Sequence, residues 1–334
     1  MSNLTNQLEN IQTENQFSGS IFVKQRELVQ VQSSFGYANR AETILNEKDT
    51  RFGIASGCKI FTAVAIVQLV EEDKLSFDSL LKDVLDISFP HFHEDVTVHH
   101  LLTHTSGIPD YFDEEVMDDF EELWIKTPMY HIRRLYDFLP LFQQEKQKFI
   151  PGEKFSYNNA GYIVLGLIVE KVSGMLFTEY VQQNILDKAE MKNSGYFALD
   201  ALPAKTAIGY IDFEDGKWKT NMYSLPIQGG SDGGAFVTAE DMVLFWEALI
   251  QGNLLKDKNI LLTPHVQEEE NSYYGYGVWI EKQEKEVYKY HVMGYDPGVS
   301  FHSAYYPSND LVLAVCSNKS KGAYAMLLEV EKSC

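Results

Sequence analysis

Three cysteines, Cys58, Cys316 and Cys334, are all that a chain of 334 residues carries. So odd and sparse a set provides no disulfide framework, and reduced thiols in a cytosol are the simpler account. Basic residues are also few: 28 Lys and Arg stand against 48 Asp and Glu, leaving a net charge of −20. Polyphosphate and anionic lipid repel such a chain, so nucleic acid and the membrane surface drop out of its expected partners. Long apolar runs are missing too. The longest, Ile60 to Val70, is too short to span a bilayer and is broken by Thr62 and Gln68. Met1 to Ser20 holds no Lys or Arg and no apolar stretch, so no signal peptide is expected and the chain reads as cytoplasmic. The absence of a fixed-period repeat disfavours a solenoid.

What is present is a hydrophobic fraction of 45%, ordinary for a globular protein, in a length that suggests about two domains. A polar helix over the first dozen residues precedes two strands, Ser18–Val23 and Leu28–Tyr37, around a turn at Gln25–Glu27. Helical spacing marks Ile60–Val70, Val98–His104, Tyr162–Val172, Phe177–Leu186 and Met242–Ile250. Thr238-Ala-Glu-Asp241 has the form of a capping box ahead of the last of these, with Asp in place of the usual Glu or Gln. Strand patterns return at Gly275–Glu281, Val287–Met293, Val299–Tyr306 and Leu311–Ser317, and a helix over Ala323–Lys332 follows. Strands at both ends with helices between them predict an α+β fold: an antiparallel sheet flanked by terminal helices, with an inserted all-helical domain. The expected division is 1–74 with 192–334 for the sheet domain and 75–191 for the helical one, with the site in the cleft between.

Ser56-Gly-Cys-Lys59 is the first chemical feature. Ser and Lys three apart on a helix share a face. If Ser56 opens the helix, the positive end of the dipole lies beside its hydroxyl. A serine hydroxyl needs an adjacent base, and Lys59 could serve if burial lowers its pKa. The alternative is an N-cap and a snorkelling lysine. Roughly one such spacing is expected by chance in a chain this long, and Ser79-Leu-Leu-Lys82 is a second. Context separates them. Lys59 leads into a run that is apolar all round, where a lysine needs a partner, whereas Ser79 lies between Asp78 and Asp83.

Tyr157-Asn-Asn159 is the second feature. A tyrosine facing a lysine loses its proton more easily and can shuttle it, while an asparagine amide can hold a peptide-like group. The same residues also suit a plain turn after Pro151-Gly152.

Taken together, Ser-x-x-Lys, then Tyr-x-Asn about a hundred residues on, then a glycine strand turn resemble the serine β-lactamase and penicillin-binding-protein superfamily. The flanking text is similar to its class C β-lactamase-like branch, with D-peptidase, carboxypeptidase and esterase relatives: Arg51-Phe-Gly-Ile-Ala-Ser56, Leu101-Leu-Thr-His-Thr-Ser-Gly-Ile-Pro109, Gly233-Gly-Ala-Phe-Val-Thr-Ala-Glu-Asp241 and Asp296-Pro-Gly-Val-Ser300. The likeness runs from about Ser18 to Asn318. It implies a Ser56 acyl-enzyme with Lys59 and Tyr157 handling protons. It also implies that Asn159 holds the substrate amide, and that the N–H groups of Ser56 and Tyr295, just after Gly294, form the oxyanion hole. One departure stands out. The third motif, usually Lys-Thr-Gly or His-x-Gly, has Val292 and Met293 before Gly294. His291 is one residue early, and strand alternation points it to the other face unless a bulge re-aims it. The expectation is a site without the cation that holds a substrate carboxylate.

Rival features weigh less. Asp110 to Glu122 holds eight acidic residues and reads as a solvated face, or else as a segment overhanging the cleft and repelling anions. His91 with His93, and His100 with His104, lack the further ligands of a zinc site, so no metal is expected. Gly229-Gly-Ser-Asp-Gly-Gly234 lacks the Lys of a phosphate loop, and Cys58 reads as packing or a bystander. The reading is a serine hydrolase acting on a small ester, amide or D-amino-acid peptide, with no cofactor and with oligomeric state open. The alternatives are a catalytically silent binding protein on the same fold, or a weak β-lactamase.

Overall fold

A computed structural model describes residues 3–333. Helix α1 (Asn3–Glu14) leads into strands β1 (Gly19–Gln25) and β2 (Leu28–Phe35), a hairpin turning at Arg26 with φ of +52°. Strands β3 (Val266–Gln267), β4 (Ser272–Tyr274), β5 (Trp279–Gln283), β6 (Glu286–Asp296), β7 (Val299–Tyr306) and β8 (Leu311–Ser317) complete one antiparallel sheet of order β2-β1-β8-β7-β6-β5-β4-β3. Of the strand expected over Gly275–Glu281, Trp279–Glu281 lies in β5, while Gly275–Val278 is the bend between β4 and β5. Gly275 N–H donates to Val278 O at 2.9 Å, and Gly277 takes φ of +69°, which a side chain would resist.

Between β2 and β3 lie α2 (Lys59–Glu71), α3 (Val98–Leu102), α4 (Asn159–Ser173), α5 (Phe177–Val181) and α6 (Ala239–Ile250), and α7 (Ala323–Glu331) follows β8. The stretch expected as helix to Leu186 breaks into a wider π-turn after Val181. Every residue of α2 from Lys59 to Leu69 is buried, as its all-round apolar sequence requires. The Thr238 side chain accepts the N–H of Asp241 at 3.0 Å and caps α6. The Asp241 carboxylate turns to Asn193 N–H and the Ser194 hydroxyl, so the expected reciprocal box is only half made.

One apolar cluster joins the inner face of the sheet (Phe301, Ala314, Cys316) to α2, α4 and α6. A second fills the outer face, where Ile21, Val23 and Leu313 pack against Leu8 of α1 and Met326 of α7. No single helix among the described residues is long and apolar enough to cross a membrane.

Candidate active site

Ser56 lies in a 3-10 turn, Ala55–Cys58, that runs into α2. Contrary to expectation it does not open the α-helix: α2 starts at Lys59, and the preceding Cys58 offers no side-chain cap. The turn is strained. Ala55 has φ of +46°, a conformation that costs a residue with a β-carbon on the order of 1 kcal/mol. Its neighbours hold it there, with Ile54 N–H on Ala235 O at 3.0 Å and Gly234 N–H on Ala55 O at 3.3 Å. The hydroxyl that follows faces a cavity of about 770 Å³.

Lys59 is 2% exposed. Its Nζ lies 2.9 Å from Ser56 Oγ, 2.8 Å from Asn159 Oδ1 and 2.7 Å from the carbonyl of Asp232. The two carbonyl oxygens can only accept, so they take two N–H bonds, while the hydroxyl can donate or accept. A neutral amine therefore turns its lone pair to Ser56 and an ammonium turns an N–H there, with no rearrangement between them. A proton acceptor needs that property.

Tyr157 stands close enough to Ser56 for that hydroxyl to act on its phenol, and its ring lies 4.9 Å from the Lys59 ammonium position. The expected easier ionisation is reversed. Burial pushes the phenol well above its ordinary value, nearby Glu114 adds to this, and the Ser56 hydroxyl opposes it only in part. Tyr157 is thus a neutral phenol able to donate. Three backbone and ring contacts place it: Ser156 N–H donates to His104 O at 2.9 Å, Asn158 N–H donates to His104 Nδ1 at 3.0 Å, and the His104 ring lies 4.4 Å from that of Tyr157. Burial keeps His104 neutral, with Lys59 adding to the effect. The stretch Leu101–Pro109 is therefore scaffold for the tyrosine, and His104 is packed among the rings of Phe155, Tyr157, Tyr162 and Tyr274.

The amide of Asn159 is already engaged: Oδ1 takes Lys59, and Nδ2 points to Asp110 Oδ2 at 3.3 Å and Phe112 O at 3.4 Å. It orients the lysine; a grip on substrate would displace its longer bonds. Asp110 also accepts the N–H groups of Asn159 and Ala160 at 2.8 and 2.9 Å, so this member of the acidic run is a cap for α4 and not part of a solvated face. Burial lifts its carboxyl to about 7. Asp232, in the glycine loop, supplies the carbonyl under Lys59, and its carboxylate accepts the Tyr111 hydroxyl. His104, Asp110 and Asp232 were missed as site-builders by the sequence reading. Their only signals were the family stretch, the first acid of the run and the loop glycines.

Gly294 lies against the Ser56 turn. A β-carbon on it would fall 2.1 Å from Ile54 O and 2.8 Å from Ser56 N. Asn318 N–H donates to Ser18 O, and the alternation, counted through the pairs Ser317↔Ser300 and Ser300↔Tyr295, directs the Tyr295 N–H away from β7. The register of β6 on β7 is unbroken from Tyr290 to Asp296, so no bulge re-aims His291. That histidine packs on the outer face, 3.4 Å from Glu281, and Val292 takes the inner-face position, buried in the core at 3% exposed. Cys58 is fully buried with its thiol pushed up to about 11 by burial, and Cys316 is buried as well; Cys334 lies outside the described residues.

A serine hydroxyl bonded to a buried lysine and set next to a neutral phenol, beside backbone N–H groups at a cavity mouth, defines a serine hydrolase. Residues 9–329 match the Beta-lactamase family, and the chain belongs to it. It is 60% identical to a penicillin-binding protein from Bacillus halodurans, whose crystal structure superposes with a TM-score of 0.95 over 98% of this chain and 100% of that one. It is 29% identical to Penicillin-binding protein 4* of Bacillus subtilis (strain 168), over 94% of this chain and 70% of that protein. D-amino acid amidase from Ochrobactrum anthropi SV3, at 20% identity and a TM-score of 0.80 over 99% of each chain, shares the fold.

Proposed function

We propose that the protein hydrolyses a small ester, amide or D-amino-acid peptide through an acyl-enzyme on Ser56, in the manner of the class C-like branch. Lys59 takes the hydroxyl proton as Ser56 Oγ attacks the carbonyl carbon, and the N–H groups of Ser56 and Tyr295 hold the oxygen as it gains charge. The proton passes through Tyr157 to the leaving oxygen or nitrogen as that bond breaks. Water, activated by the same pair, then attacks the acyl-enzyme and frees the acid and Ser56. Val292 in place of a cation at the third motif turns the site away from β-lactams and free C-terminal carboxylates.

The observation that carries this reading is the Lys59 amine, shielded from water and placed so that Ser56 is its one partner able to give up a proton. Intact-protein mass spectrometry after exposure to a fluorophosphonate and to an activated ester is the test. One adduct on the native chain and none on Ser56→Ala is the expected result; equal labelling of the two overturns the reading.

A further inference from the structure

The charged lining of the cavity has one sign. Glu114, Asp118, Asp119, Glu121, Asp232 and Asp296 reach it, and no Lys, Arg or His lines it among the described residues. Some of these acids are engaged elsewhere: Asp232 accepts the Tyr111 hydroxyl, and Glu121 pairs with Lys219 at 2.8 Å. Asp296 differs. Its side chain has no hydrogen bond or ion pair among the described residues, although it shares the cavity with Ser56.

Its place in the strand sets what it faces. Asp296 follows Gly294 by two residues on β6, so both project to the cavity side, while Tyr295 between them sends its side chain outward. Two residues of strand span about 7 Å. The carboxylate therefore stands a few bonds beyond the point where the Tyr295 N–H would hold a substrate carbonyl. The strand position that carries a cation in relatives of this family is Val292, and the unpartnered ionisable group near the carbonyl is instead an acid. Lys59 is near enough to act on Asp296 electrostatically but spends its three contacts on other groups, so the carboxyl is left without a contacting protein cation. Phe112, Phe138, Phe197 and Phe236 make much of the remaining wall apolar.

We infer that the substrate carries a positive charge close to its scissile carbonyl, joined to an apolar body, and that Asp296 binds that charge. The inference rests on the hydrolase reading for the word substrate, but charge selection by the cavity can be measured without turnover. A carboxylate taken from water into such a lining is stabilised when an ammonium meets it, and a neutral ligand of equal shape leaves it unpaired. An anion would meet an acidic lining that holds no cation among the described residues.

The test uses Ser56→Ala, which binds without reacting, titrated calorimetrically with 2-phenylethylamine and with 2-phenylethanol. The amine is expected to bind at least about tenfold tighter, the size of one charge-assisted hydrogen bond. Adding Asp296→Asn should remove that preference and Asp296→Glu should keep it, which separates charge recognition from shape. Equal affinities for the two ligands, no binding of the amine at millimolar concentration, or a preference that survives Asp296→Asn each overturn the inference. In parallel the unmodified protein is given the methyl esters of phenylalanine, both enantiomers, and of 3-phenylpropanoic acid at a pH of about 7, where protonated amine and ionised Asp296 are both present. Failure to hydrolyse any of them counts against the hydrolase reading alone. Faster hydrolysis of the uncharged ester counts against the charge inference alone.

Discussion

Lys59 donates to the Oδ1 of Asn159 at 2.8 Å, across 100 residues of sequence. The bond ties the buried start of α2 to the first turn of α4, so the position of the amine depends on both helices. Loss of the amine itself, in Lys59→Ala, is expected to lower kcat by at least about a thousandfold, since it removes the base. Asn159→Ala keeps the amine but frees it to turn, and a loss of about ten- to a hundredfold follows. Steady-state kinetics on an activated ester checks both, and near-normal turnover by Lys59→Ala would reject the assignment of the base.

Tyr157→Phe removes one oxygen and keeps the ring against His104. A fall in kcat of about a hundredfold with little change in Tm is expected, matching loss of a proton relay. Because burial holds the phenol well above its ordinary range, the pH–rate profile of the native protein should show no step from tyrosine ionisation below about pH 10.

Gly294→Ala places a methyl 2.1 Å from Ile54 O and 2.8 Å from Ser56 N, and neither backbone atom can swing aside. The strand must move off the nucleophile turn. A loss of about a hundredfold or more in kcat, as for removal of an oxyanion donor, should come with a lower Tm. Wild-type-like kinetics in this variant would mean that β6 contributes nothing to the reaction.

Asp296 gives a pH prediction of definite sign. Burial, with Asp232 adding, lifts its carboxyl from an ordinary 3.8 to about 7 in the folded protein. Between those values the folded state binds more protons than the unfolded one, so this group's contribution to stability is present below about pH 4 and is lost as pH rises through about 7. Asp296→Asn mimics the protonated form. Its Tm should exceed that of the native protein at pH 8 and approach it near pH 4, by calorimetry; a lower Tm at pH 8 would contradict the strain assigned to this carboxylate.

Cys58 sits two residues from Ser56, yet its thiol is enclosed and pushed up to about 11. Iodoacetamide at neutral pH should leave activity untouched, and Cys58→Ala should stay within about threefold of native turnover. Rapid inactivation by the reagent would show that the turn opens far more than its packing suggests.

How far the sequence went follows from what kind of signal each residue carries. Ser56, Lys59 and Tyr157 were legible because their order and spacing are local, and α2 was legible because an all-apolar run admits only burial. The displacement of His291 could be read from period-two alternation alone. Asp110 and Asp232 were hidden because their roles come from long-range contacts: an acid in an acidic run looks solvated until the N-terminus of α4 is seen docked on it, and a main-chain carbonyl has no letter of its own. The Tyr157 phenol was misjudged because the lysine beside it was evident and the enclosing walls were not. The bend at Gly275–Val278 was taken for strand since its residues continue the apolar pattern on either side.

The strand order has a consequence for how the chain is made. β1 is paired on one side by its hairpin partner β2 and on the other by β8, whose register runs Gly19↔Ser317 to Gln25↔Leu311. A ribosome therefore releases the first hairpin nearly three hundred residues before its central neighbour exists. Until that last strand emerges, the hairpin presents an open edge and an uncovered face, a natural holding place for a chaperone during translation.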